Sequence, residues 1–186
     1  AAPKTAQNAL TVTGSYPLSY AREFTVDECA GGYNLLTIDG SCYLTVPAGA
    51  AVPEGLDADI TVLQLPLQNI YLVSTSAMDP IIRIGGLDAV ALSGTQAEGW
   101  YLPEARAAMQ NGEIAYAGRY STPDYETILS ADCDLALENT MIYHTPKVKE
   151  QLESCGIPVL VERSSYESDP LARMEWVKLY GILLDR

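Results

Sequence analysis

The chain is poor in several things at once. It has one histidine, His144, and one phenylalanine, Phe24, in 186 residues. A single histidine leaves little room for a Ser-His-Asp arrangement. His144 could bind haem iron or another metal, but a lone histidine is more often a satisfied structural residue. The four cysteines, Cys29, Cys42, Cys133 and Cys155, include no CxxC pair, which argues against a structural zinc site. Cys29 with Cys42, or Cys133 with Cys155, could form a disulfide, or all four are buried thiols. No apolar run approaches the ~20 residues of a membrane-spanning helix. Cations are scarce: 11 Lys plus Arg stand against 24 Asp plus Glu, a net charge of −13. Such a surface repels phosphate backbones, so nucleic acid is not an expected partner, whereas a basic protein surface is. There is no GxSxG elbow, no GxGxxG after a strand, no phosphate-binding P-loop and no HExxH, which removes the common enzyme signatures of doubly wound sheets.

What is abundant is apolar residues, 48% of the chain, and tyrosine, 12 residues. This is enough for one α/β domain with a real core. The start, AAPKTAQNAL, is small, polar and aperiodic and reads as a tail or tether over residues 1–10. The next segment, about 11–52, reads as a β-meander. REFTVDE, YNLLTID and CYLTVP are rich in β-branched and aromatic residues, separated by the turn signals CAGG and DGS. Asp39-Gly40 is the strongest hairpin signal.

After Pro53 the texture alternates. Strands are expected at about 59–64, 88–92, 114–117, 134–138 and 158–162, and helices at about 75–84, 102–110, 123–130 and 146–154. Pro103 opens one helix and Asn111-Gly112 stops it. Ser121 or Thr122 precedes Pro123, with Asp124 and Glu126 in the first turn, where the helix dipole favours carboxylates. Thr145-Pro146 opens another helix, which stops at Gly156. The runs DLAL and PVLV have the continuous apolarity of strands covered on both faces. The fold class is therefore α/β, a mostly parallel sheet flanked by helices, with an N-terminal β-meander.

The last segment, DPLARMEWVKLYGILLDR, starts as a well-formed helix, with Asp169 as cap and Pro170 in the first turn. Its apolar residues then spread around most of the circumference, so it is expected to be covered on more than one side.

The segment GEIAYAGRYSTPDYETILSADCDLALENTMIYHTPKVKEQLESCGIPVLVERSSYESDPLARMEWVKLYGILL resembles the N-terminal lobe of the substrate-binding proteins of iron-siderophore, haem and cobalamin ABC importers. ITVLQLPLQNIYLVSTSAMDPIIRIGGLDAVALSG is similar to the first strand-helix-strand unit of the same family. Together the similarity covers roughly residues 53–186. It implies two α/β lobes joined by a long rigid helix, with the ligand held between them. Residues 53–167 would be the N-terminal lobe and 168–186 the first part of the linking helix. The second apolar flank of that helix would face a C-terminal lobe absent from this chain, a fragment or natural half-protein.

The resemblance implies a non-enzymatic receptor without a cofactor. Its ligand would be a siderophore or haem iron complex or a corrinoid, and its partner a membrane permease. It would be extracytoplasmic, either periplasmic or held by a lipid anchor at the outer face of the cytoplasmic membrane. A sensory or adhesive domain on the same fold, or a hydrolase, are the rival readings.

Ligands of open α/β sheets sit beyond the carboxyl ends of the strands. That nominates Tyr71, Trp100, Tyr101, Tyr120, Tyr143 and Tyr166 as aromatic contacts, each with edge packing as the alternative. Arg163 would pair with an anionic ligand, or with Glu162 or Glu167. Glu138 would contact ligand or cap the following turn. Ser74, Thr75 and Ser76 would hold an anion at a helix start or simply cap it. Glu126 in PDYE matches the family's glutamate that docks onto permease arginines; helix-dipole compensation is the alternative.

Overall fold

The computed structural model describes residues 10–186. All but the last residue of the expected tail at 1–10 lies outside the described residues; Leu10 itself is buried against the N-terminal sheet.

Five strands form that sheet in sequential order: β1 (Val12–Ser15), β2 (Phe24–Cys29), β3 (Asn34–Ile38), β4 (Ser41–Val46) and β5 (Ile60–Gln64). The first four pair antiparallel, as a meander must. Asp39-Gly40 makes the β3–β4 turn with both residues at positive φ, 48° and 78°, the geometry a two-residue hairpin needs to match strand twist.

One expectation fails here. Residues 60–64 do not open the parallel sheet; β5 pairs parallel with β4, Cys42 opposite Ile60. Its alternation explains the choice. Leu63 faces one core, while Ile60 and Val62 pack on the other face of the same sheet, so the strand needs a partner that continues the meander.

The parallel sheet begins instead with β6 (Ile70–Leu72), a three-residue strand that the sequence reading missed. It is followed by α1 (Met78–Arg83), β7 (Val90–Ser93), α2 (Pro103–Gln110), β8 (Ala115–Tyr116), the ribbon β9 (Gly118–Arg119) and β10 (Thr122–Pro123), α3 (Tyr125–Ser130), β11 (Leu135–Asn139), α4 (Pro146–Ser154) and β12 (Val159–Glu162). The strand order is β12-β11-β6-β7-β8, all parallel. The chain starts at β6, winds outward to β8, then crosses back to β11. The order therefore reverses between β6 and β11, and the helices divide accordingly. Met78 and Ile81 of α1 and Ala105 and Ala108 of α2 join the first core. Ile128 of α3 and Leu152 of α4 join a second core on the opposite face.

Helix α3 starts two residues later than expected. Thr122 and Pro123 are held in the ribbon against Arg119 and Gly118, so Asp124, not Ser121 or Thr122, is the cap, and its carboxylate accepts the Thr127 amide at 3.2 Å. Gly118 at φ +83° cannot be replaced cheaply: a Cβ there would lie 2.3 Å from the Thr122 carbonyl.

The terminal helical segment runs as α5 (Pro170–Glu175) and α6 (Val177–Leu184), with Trp176 between them. Asp169 caps it as expected, accepting the Leu171 amide. Trp176, Leu179, Tyr180 and Leu183 join one core with Phe24, Leu36 and Tyr43 of the N-terminal sheet and with Ile70 and Leu72 of β6. Phe24 meets Trp176 edge-on, with ring centroids 4.9 Å apart. A large part of the helix's second apolar side is thus covered from within the chain. Leu171 and Met174 are the exception, 49% and 71% exposed.

The seam between helix and N-terminal sheet is polar and held by two carboxylates. The Glu175 carboxylate accepts the amides of Ser19, Tyr20 and Ala21 at 2.7–3.1 Å and the Lys178 ammonium at 2.8 Å. Glu167 accepts the amides of Arg22 and Glu23 and the Trp176 indole N–H, each at 3.0 Å. These two carboxylates satisfy five consecutive backbone donors that would otherwise be stranded at a packed surface.

Candidate functional site

The reversal between β6 and β11 is where an open α/β sheet offers a ligand crevice, beyond its carboxyl edge. Past Leu72, the amides of Val73 and Ser74 both bond the Leu137 carbonyl, which holds the two strand ends together there. The loops leaving β11 and β12 carry Tyr143, Arg163 and Tyr166.

Arg163 organises this edge. Its guanidinium donates to Glu23 at 2.8 Å and to Asp39 at 2.9 Å, and it lies over the Tyr166 ring, 4.3 Å from the centroid. The expected partners Glu162 and Glu167 are not the ones it takes. Glu162 points to the other side of β12, and Glu167 is committed to the seam. The hairpin turn at Asp39 is thereby bolted to the parallel sheet. Burial disfavours the Arg163 charge, but Glu23 and Asp39 outweigh it and raise its pKa. With two carboxylates on one guanidinium, this is not a free cation for an anionic ligand. Tyr143 and Tyr166 stay 47% and 54% exposed beside it. Partial burial, then the Asp39 charge, raises the Tyr143 phenol, opposed by Arg163.

Two of the nominated aromatics are core residues. Tyr71 lies in the middle of β6, not in a loop; it is fully buried and its hydroxyl donates to the Gly118 carbonyl at 2.7 Å. Burial, then the Glu138 charge, push its phenol far up. Trp100 is 3% exposed, with its indole N–H on the Ser93 hydroxyl at 3.1 Å. Their polar tips are spent inside the protein, so neither faces a ligand. Tyr120, at the ribbon tip, is half-buried against the second core. Tyr101 stands almost free at 95% exposure.

Ser74 and Ser76 are also spent. Both hydroxyls donate to one oxygen of Glu162, at 2.8 and 2.7 Å, and the Ser164 amide donates to the other at 2.6 Å. Neither an anion site nor a side-chain cap results. Glu162, expected only as a possible partner of Arg163, binds serines 86 and 88 positions away instead, a pairing that no local pattern reveals.

Glu138 has the opposite environment. It is 0% exposed, and neither carboxylate oxygen has a hydrogen-bond partner among the described residues. It caps no turn: Asn139 does that, accepting the Met141 amide at 2.9 Å. Desolvation alone pushes its carboxyl up to about 8. Burial thus favours the uncharged acid over the carboxylate.

His144 is exposed at the end of the turn after β11, and no group of three metal-ligating side chains forms among the described residues. The four cysteines are free thiols, Cys29 buried and the others half-buried. Glu126 is exposed in the first turn of α3, where a partner surface could reach it. A concavity of about 530 Å³ lies away from the sheet's carboxyl edge, between α6 and the N-terminal sheet, lined by Tyr16, Asn34, Leu65, Val177 and Ile182 among others.

No family model matches this chain. It is 22% identical over 145 residues to an uncharacterized lipoprotein, MJ0878, of Methanocaldococcus jannaschii; the match covers 75% of this chain and 35% of that protein. The chain thus spans about a third of the relative's length. Among the described residues no helix is long and apolar enough to cross a membrane.

Proposed function

We propose that this chain belongs to the solute-binding receptor of an ABC importer, which captures an iron complex or a corrinoid and delivers it to a membrane permease without catalysis. The observation that carries the reading is the strand-order reversal between β6 and β11, with Tyr143 and Tyr166 exposed on the loops beside it. An open aromatic face suits one wall of a crevice rather than a closed pocket. In this reading residues 168–186 would belong to the connection between lobes, although α6 is closed at Asp185, φ 54°, and a second lobe would pack on the exposed Leu171 and Met174 of α5. The lipoprotein relative supports an extracytoplasmic, lipid-anchored location. Exposed Glu126 on the short, capped α3 suits docking on a basic permease surface.

Because Arg163 is already held by Glu23 and Asp39, the rim favours a neutral or cationic cargo, a hydroxamate-type ferric siderophore or a corrinoid, over the propionates of haem. The test is calorimetric titration of the full-length gene product with a ferric siderophore, haem and cyanocobalamin. Saturable binding of the first or third supports the reading; binding of none of the three removes it.

A further inference from the structure

The second core contains one group that does not belong in an apolar interior. Leu135 and Leu137 of β11 face the first core and Ala136 the second, so alternation sends Glu138 into the second. The surroundings there are Tyr71, Val73, Ala117, Ile128 and Val161. The titratable groups close enough to feel Glu138 are Tyr71 from β6 and Tyr125 from α3. Tyr71 in turn feels Tyr116 of β8 and Cys133, and Tyr125 feels Cys155 at the end of α4. All are phenols or thiols. Among the described residues no cation from these elements faces the carboxyl, and no donor reaches either oxygen.

An ionised carboxylate in such a place must find water or a partner, because burying it bare costs more than local opening. The strand that carries Glu138 and the elements that cover it differ in what can give way. The backbone at Glu138 is fixed: β11 is an inner strand, paired with both β6 and β12, with Glu138 opposite Val161. The cover on this face comes from α3 through Ile128, α4 through Leu152 and the turn after β11 through Ile142, with a ribbon that Tyr71 ties to the sheet through the Gly118 carbonyl. Its slightest parts are α3, six residues long, and that ribbon of two-residue strands.

We propose that Glu138 is a proton-operated latch: as an uncharged acid it seats α3 and the β9–β10 ribbon on the sheet, and on losing its proton it lifts them off. Helix α3 carries Glu126, so the latch sets how firmly that carboxylate is presented. This last consequence rests on the docking reading; the latch does not.

Amide hydrogen exchange of the chain between pH 6 and 9, corrected for intrinsic rates, tests it. In the wild type, protection over residues 118–130 falls by up to about tenfold per pH unit as the acid titrates, while β2–β4 keep theirs; in Glu138→Gln neither segment responds. An identical pH response in wild type and variant, or a loss spread evenly over the chain, overturns the latch. A second readout needs no variant: the carbonyl band of a protonated carboxyl in the infrared spectrum should be present at pH 6 and vanish in step with the exchange. Absence of that band at pH 6 also overturns it. Neither readout involves cargo or permease, so a failed docking assay leaves the latch standing and a failed latch leaves the docking reading standing.

Discussion

Glu175 and Glu138 are both buried carboxyls, 8% and 0% exposed, yet their environments push them in opposite directions. Burial works against the charge of Glu175, but Lys178 and the amides of Ala21, Ser19 and Tyr20 outweigh it and hold its carboxyl at about 2. Glu138 has only the burial, and goes up to about 8. What a buried acid does is decided by the donors its neighbours supply. At the seam between N-terminal sheet and terminal helix, backbone amides converge on carboxylates and rigidify the joint. In the second core, the donors are absent.

The difference predicts opposite pH behaviour. A depressed acid contributes stability that is present above its unfolded value of 4.5 and is lost as pH falls toward 2. A raised acid does the reverse: its penalty is absent below 4.5 and grows as pH rises to 8, by at most about 1.4 kcal/mol per unit. Stability should therefore peak in mildly acidic solution.

The largest expected effect is from Glu175→Ala, which strands three amides and the Lys178 ammonium. It should cost about 3 kcal/mol or more in urea denaturation, and the variant should lose much of the wild type's acid sensitivity between pH 4.5 and 2. Glu167→Gln keeps an acceptor but loses its charge, so about 2 kcal/mol is expected by the same assay. In the other direction, Glu138→Leu should stabilise the protein by about 2 kcal/mol at pH 8 and by much less at pH 5, read as the difference in melting temperature at the two pH values. A gain equal at both would mean the acid is not titrating. Arg163→Met should cost about 1 kcal/mol, shrinking with added salt, because Asp39 is half-exposed and screened. Tyr101→Ala, at an almost bare position, should change stability by less than about 0.5 kcal/mol, so any effect on cargo affinity from it reports contact rather than folding.

Much of the architecture was legible in the sequence. The Asp39-Gly40 hairpin, the four helices opened by proline or an acidic first turn, and four of the five parallel strands follow from local chemistry. The misses have local causes too. Ile70–Leu72 is too short to show a period, and the stronger apolar run at 60–64 took its place. Pro123 fits a helix start as well as a ribbon, and only the tight Gly118 turn decides between them. The site was less legible. Tyr71 and Trp100 carry the same side chains as a ligand wall would, but burial, which the sequence does not print, assigns them to the core. The ion pairs of Arg163 join residues 124 and 140 positions apart, and no local pattern reveals such partners. The greasy circumference of the terminal helix was readable, whereas its partial cover by residues 16–26 of the same chain was not.

The two seam carboxylates are fully engaged, while at the carboxyl edge of the parallel sheet Tyr143 and Tyr166 stay half-exposed beside Arg163; under the proposed reading this edge is the cargo wall. The most direct measurement is a binding titration of the full-length gene product, wild type against Tyr143→Ala/Tyr166→Ala, using whichever of the ferric siderophore or cyanocobalamin binds. At least a tenfold loss of affinity is expected in the double variant, with its fold intact by circular dichroism. Unchanged affinity in a folded double variant would contradict it.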